Sequence, residues 1–209
     1  MASTTSTNKF FFFLLLASFA IAQVAKAGDA DITSDFLAPA GAIVDGNFFT
    51  YTGMRSIVNA KPPANFTVTK VSMAEFPALN GQSVSYAILQ FPASTVNPPH
   101  IHPRSAELLF LTRGSLQVGF VDTTNKLYTQ TLLAGDMFVF PKGLVHFQYN
   151  IDPENIALAI SAFGSASAGT QSLPATLFAT NIDENILAKS FKTDVATIQA
   201  LKAGLAPKA

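Results

Sequence analysis

An antiparallel all-β sandwich or barrel with a helical carboxy-terminal segment is the fold this sequence predicts. Three observations carry it. Between Asn65 and Phe163 short apolar runs follow one another at intervals closed by Gly, Pro, Asn and Asp turns. Several of those runs alternate apolar and polar residues with period two, as a half-buried strand does. Beyond Phe163 the texture changes to small polar residues and then to helical spacing. The 209-residue chain is 49% hydrophobic and 12% charged, with Lys+Arg and Asp+Glu balanced at 13 each. That balance gives no net field toward nucleic acid or an anionic membrane. With no cysteine in the chain, a disulfide framework, a thiolate nucleophile, a Cys-ligated zinc and an iron–sulfur cluster are all excluded.

At the amino terminus, Lys9 precedes the apolar run Phe10–Ala22, and the small-residue site Ala25-Lys26-Ala27 follows. The run is shorter than the ~20 residues a helix needs to span a bilayer, so residues 1–27 read as a secretory signal peptide. No later stretch is long enough to span a membrane, which predicts a secreted product. Asn65-Phe66-Thr67 is an N-glycosylation sequon and fits such a product. A 28–60 arm, a 61–165 β-domain and a 166–209 helical segment complete the division.

The strands are expected at Phe66–Met73, Val84–Phe91, Glu107–Thr112, Leu116–Phe120, Leu127–Leu133, Met137–Phe140, Leu144–Tyr149 and Ile156–Phe163. Asn97-Pro98-Pro99 reads as a turn, Arg113-Gly114 as a hairpin end, and Asp122–Lys126 as a hairpin turn. Gly164–Thr170 reads as a loop and Asn181–Phe191 as a helix with Ile182, Ile186 and Leu187 on one face. A second helix, capped by Thr193 or Asp194, carries Val195, Ile198 and Leu201 and stops at Gly204 and Pro207. These helices can pack on their own barrel or on a neighbouring subunit.

The chain has three histidines, and all lie in two short segments expected to be β-hairpins. His100 and His102 stand at i and i+2, so on a strand both imidazoles aim to one side. Glu107 follows five residues later, with Pro103 and Ser105 breaking the regularity. In the second segment, His146 shares a strand face with Leu144 and Gln148. Three neutral imidazoles and one carboxylate can hold a divalent transition ion and leave positions open. Glu107 precedes the apolar Leu108–Leu111 run, and a cation would offset the cost of burying its charge.

At these residues the sequence resembles the germin-like proteins, a plant branch of the cupin superfamily. The first box of that family, G-x5-H-x-H-x4-E-x6-G, is matched by His100, His102, Glu107 and Gly114, with Ser94 in place of the opening glycine. The second, G-x5-P-x-G-x2-H-x3-N, is matched throughout by Gly135, Pro141, Gly143, His146 and Asn150.

The resemblance implies a cupin jelly-roll β-barrel with a C-terminal α-helical extension. It implies a Mn(2+) ion held by His100, His102, Glu107 and His146, although ligand chemistry alone also suits zinc, iron or copper. It further implies a secreted glycoprotein of the apoplast and cell wall, glycosylated here at Asn65. Its assembly would be a homo-hexamer, a trimer of dimers, with no nucleic-acid partner. Superoxide dismutation is the activity expected of a small-molecule substrate site. Oxalate oxidation, with Asn97 orienting the carboxylate, and nucleotide-sugar pyrophosphatase/phosphodiesterase activity rank lower. A non-catalytic wall glycoprotein, receptor or storage protein is the alternative. Many members carry two cysteines that staple the amino-terminal segment. Leu37 stands at the first of those positions, so packing of Phe36, Leu37, Phe48 and Phe49 is expected to hold the arm more loosely.

Overall fold

The structure is a computed structural model and describes residues 29–58 and 60–205. The expected leader, 1–27, lies outside the described residues. Among the described residues, ten strands form two five-stranded antiparallel sheets. They are β1 (Thr67–Val71), β2 (Ser85–Phe91), β3 (Val96–Ile101), β4 (Glu107–Arg113) and β5 (Ser115–Val121). Then come β6 (Leu127–Leu133), β7 (Met137–Phe140), β8 (Val145–Tyr149), β9 (Ala157–Phe163) and β10 (Gln171–Ser172). One sheet runs β1-β2-β9-β4-β7 and the other β10-β3-β8-β5-β6. From β2 onward the chain changes sheet at every connection except β5 to β6, which gives a jelly roll.

Period-two patterning decides what faces the interior. Ser85, Ala87, Leu89 and Phe91 of β2 are buried, as are Ala157, Ala159, Ser161 and Phe163 of β9 and Glu107, Leu109 and Leu111 of β4. Phe91, Leu109, Leu111, Leu116, Val118 and Phe140 are fully excluded from solvent. Each such side chain contributes ~1.5–3 kcal/mol relative to an exposed one. The inward positions of this apolar shell that carry Glu107, His146, Gln148 and Ser161 are therefore costly exceptions.

Three expectations need correction. The two histidine segments are not hairpins: β3 and β4 lie in different sheets, and so do β7 and β8. Alternation fixes which face of a strand is buried but says nothing about which sheet the strand joins. Arg113-Gly114 is likewise a sheet change rather than a hairpin end. Gly114 has φ +79, and a Cβ there would lie 2.5 Å from the Ile156 carbonyl oxygen. Asn97-Pro98-Pro99 belongs to β3 rather than to a turn. The β3–β8 register shifts between Asn97 and His100, so the prolines, which have no N–H to give, sit in the irregular part of the ladder.

The 164–170 loop leads into β10 and three helices: α1 (Leu173–Phe178), α2 (Glu184–Phe191) and α3 (Val195–Leu205). The helix α1 was not among the expected elements. Asp183 caps α2 by accepting from the Asn185 and Ile186 N–H groups, and the Asp194 carboxylate accepts from Thr197 N–H in the first turn of α3. Leu187, Ala188 and Ile198 form a small core with Phe178, Ile182 and Val195 against it. Ile186 and Leu201 face outward instead, since the helices bury a narrower stripe than their spacing allowed. Gly204 lies inside α3 and does not stop it; Pro207 lies outside the described residues. In the arm, Phe49 meets Phe36 and Phe48 edge-on at ring-centroid distances of 5.2 and 4.9 Å. Gln82 Nε2 donates to the Asp35 carbonyl, and Asp29 reaches the 164–170 loop. Packing and hydrogen bonds thus hold the arm together. No helix among the described residues is long and apolar enough to cross a membrane.

Candidate metal centre

His100 and His146 are directly opposite one another on β3 and β8, and His102 lies just beyond the end of β3. Glu107 opens β4 in the facing sheet, where it is the cross-strand partner of Phe140 and Phe163. The sandwich therefore brings three imidazoles from one sheet against a carboxylate from the other. All four side chains are buried, and one donor atom from each lies within 4.8 Å of all the rest.

The imidazole orientations are set by backbone. His100 Nδ1 donates to the Pro98 carbonyl at 2.8 Å, His102 Nδ1 to Gly169 at 2.6 Å, and His146 Nδ1 to Leu144 at 2.8 Å. A carbonyl only accepts, so the proton is on Nδ1 and each Nε2 is the nitrogen left to coordinate. His102 Nε2 and His146 Nε2 stand 2.9 and 3.1 Å from Glu107 Oε2. A lone pair facing a carboxylate oxygen at that distance is unfavourable unless a proton or a cation mediates. Burial pushes the His100 pKa down to about 4 and keeps that ring neutral near pH 7. Burial by itself would raise Glu107; with protons on both facing Nε2 atoms, hydrogen bonds from His102 and His146 outweigh it and hold the carboxyl at about 2, and a cation in place of those protons keeps it ionised in the same way. A neutral Nε2 and an ionised carboxylate are the states a divalent cation requires. The donor set fits a transition ion.

Two side chains that the sequence did not mark complete the arrangement. Ser161 Oγ donates to Glu107 Oε1 at 2.6 Å, and Gln148 Nε2 donates to the same oxygen at 3.3 Å. Oε1 is occupied, which leaves Oε2 as the coordinating atom. The available signal was a serine at an inward position of the apolar strand β9; Gln148 was placed on the His146 face but without a role. Gly169 could not have been found, because its contribution is a backbone carbonyl. Phe140 stacks on His146 at 4.5 Å, and Phe163 meets His102 edge-on at 4.8 Å, so the rings are walled on their apolar sides.

Residues 59–199 match the cupin family. Germin-like protein 9-3 of Oryza sativa subsp. japonica is 65% identical over 189 residues, 87% of this chain and 88% of that protein. Germin-like protein 9-1 of the same organism is 53% identical over 212 residues, 99% and 84% of the two chains. This chain belongs to the germin-like proteins of the cupin family. A solved oxalate oxidase in complex with the substrate analogue glycolate is similar to it with a TM-score of 0.76 and 29% identity, covering 87% of this chain and 100% of that one.

In this germin-like chain, His100, His102 and Glu107 face a cavity of about 450 Å³ that is also lined by Asn97, Val71 and Leu89. Asn97, the expected substrate-orienting residue, is at the site: its Nδ2 donates to Gln148 Oε1 at 2.7 Å and lies 3.5 Å from His100 Nε2. Asn65 is not part of it and sits exposed in the bend before β1. Ser94, at the position of the first box's glycine, has φ +57, the left-handed backbone that favours glycine.

Proposed function

We propose that this germin-like chain is a secreted, manganese-binding protein of the plant apoplast and cell wall, acting in defence or wall oxidative chemistry, with superoxide dismutation as its activity. The observation that supports it most is that two backbone-oriented Nε2 atoms, of His102 and His146, meet one oxygen of the buried Glu107 carboxylate, with a donor atom of His100 within 4.8 Å of the same group. Manganese is selected by the family resemblance, since imidazole-rich donor sets also accept zinc, iron and copper.

Bound manganese would supply one-electron redox chemistry, by which two superoxide ions and two protons become dioxygen and hydrogen peroxide. The protein would contribute the rest. His100, His102, His146 and Glu107 hold the ion with positions open to the cavity. Ser161 and Gln148 keep Glu107 presenting a single oxygen. Asn97 offers an amide beside His100 for an incoming anion.

Secretion is supported by the leader-like 1–27 segment and by an exposed sequon at Asn65, which we propose is glycosylated. We also propose a homo-hexamer built as a trimer of dimers. Exposed Leu108, Phe110, Met137 and Val139 on the outer face of the β4–β7 pair support a barrel-to-barrel contact. Exposed Ile186, Phe191 and Leu201 support one through the helices.

Two specific observations favour other readings. The ligands come from both sheets, so a bound ion would cross-link the sandwich, as a purely structural metal in a wall glycoprotein, receptor or storage protein would. Asn97 beside His100 favours oxalate oxidation. Assays of superoxide dismutation and oxalate-dependent peroxide release on metal-loaded protein separate the three. Dismutation lost in His146→Ala together with the metal supports the proposal. Loaded protein inactive in both assays supports the structural role.

A further inference from the structure

The amino-terminal segment reaches the metal site through the 164–170 loop. Asp29 Oδ1 accepts from Ser165 Oγ and Oδ2 from Ala166 N–H, both at 2.6 Å. Ser165 and Ala166 are buried, so these two donors depend on that carboxylate for partners. The Ser165 hydroxyl also accepts from Ser167 N–H at 3.0 Å, which makes it a relay. The Ser167 carbonyl and hydroxyl hold the Arg104 guanidinium, and Arg104 N–H donates to the Ala168 carbonyl. That guanidinium lies where a Cβ on Gly169 would have to go, at 2.8 Å, and Gly169 has φ +71. The Gly169 carbonyl then fixes His102 Nδ1.

From this chain of contacts we infer that Asp29 is a positioning residue for His102, acting through Ser165, Ser167 and Arg104 on the Gly169 carbonyl. The inference rests on the proposed metal site. Removing the carboxylate strands a buried N–H and a buried hydroxyl, and the loop must move to regain partners. Any such movement withdraws the acceptor that sets the His102 tautomer and ring angle, and outer partners of this kind govern metal affinity. The same loop supplies Ser167, Ala168, Gly169 and Thr170 to the cavity wall, so Asp29 also sets the shape of that wall. In a chain cleaved after Ala27, Asp29 would be the second residue of the mature protein, and docking of the new terminus would coincide with completion of the site.

The test compares the intact mature protein with Asp29→Ala, Asp29→Asn and Gln82→Ala, each loaded with manganese alone. Gln82→Ala removes a different tie between arm and barrel and serves as the control for arm loosening. Expected are a roughly tenfold weaker affinity in chelator competition for Asp29→Ala and a broadened paramagnetic resonance signal. Asp29→Asn, which keeps one acceptor oxygen, should fall between, and Gln82→Ala should match the unsubstituted protein. Unsubstituted protein that binds manganese while Asp29→Ala binds equally, with the same lineshape, overturns this inference alone. Equal weakening by Gln82→Ala overturns it in favour of general loosening. Unsubstituted protein that takes up no divalent ion overturns the metal reading and this inference with it.

Discussion

Ser161 and Glu107 are diagonal neighbours on the paired strands β9 and β4, and the serine hydroxyl donates to Glu107 Oε1 at 2.6 Å with both side chains out of solvent. One oxygen of the carboxylate is thus spent on the protein and the other turned to the histidines. A buried carboxylate with both oxygens free could swing to chelate a cation and close its open positions.

Ser161→Ala removes that hydroxyl without changing the apolar character of β9. Metal affinity in chelator competition should fall roughly 10-fold or more, and the metal-free protein should lose about 1–3 kcal/mol of stability as a buried carboxylate oxygen loses its nearest donor. An unchanged affinity would mean that Gln148 alone orients the carboxylate.

Ser94 occupies left-handed backbone with an exposed side chain. A non-glycine residue there costs ~1–2 kcal/mol, part of which glycine gives back through its greater freedom when unfolded. Ser94→Gly should therefore raise stability by about 0.5–1 kcal/mol, read as a higher midpoint in chemical denaturation. A lower midpoint would show that the side chain is needed in this turn.

The pH dependence of the metal-free protein has a definite sign. The folded His100 pKa, about 4, lies below its ordinary 6.5, so the unfolded chain binds the extra proton between those values. The stability of the folded state is complete above pH 6.5 and declines as pH falls toward 4, by on the order of 3 kcal/mol. Glu107, lowered from 4.5 to about 2, adds a second loss as pH falls through that lower window. Denaturation midpoints from pH 8 to 3 should show both, and His100→Gln should lack the first. Stability that rises on acidification from 6.5 to 4, with His100→Gln indifferent to pH there, would contradict the assignment.

Gly114→Ala tests the sheet change after β4. Both the positive φ and the 2.5 Å approach to the Ile156 carbonyl oppose a side chain. A loss above the ~1–2 kcal/mol that positive φ alone imposes is expected in denaturation experiments, because the Ile156 carbonyl must also give way; a smaller loss would contradict the close approach.

The four metal-binding candidates were legible because their signal is covalent spacing and scarcity. His100 and His102 share a strand parity, no histidine lies elsewhere, and Glu107 sits where an apolar residue belongs. Strand positions were legible from alternation for the same reason. Sheet membership was not, because β3, β4, β7 and β8 read alike whether they pair as hairpins or cross the sandwich. Pro98 and Pro99 looked like a turn because the bulge that accommodates them is a property of the β3–β8 pair. The carbonyls of Pro98, Leu144 and Gly169 leave no trace in residue type, and the Asp29 contact joins residues more than a hundred positions apart.

Elemental analysis of the purified protein, with paramagnetic resonance of the bound ion, bears most directly on the four-ligand centre. One manganese per chain, retained through dialysis and lost in His146→Ala, is the expected result. Protein that stays free of divalent metal after exposure to manganese, or a His146→Ala variant that keeps a full complement, would contradict it.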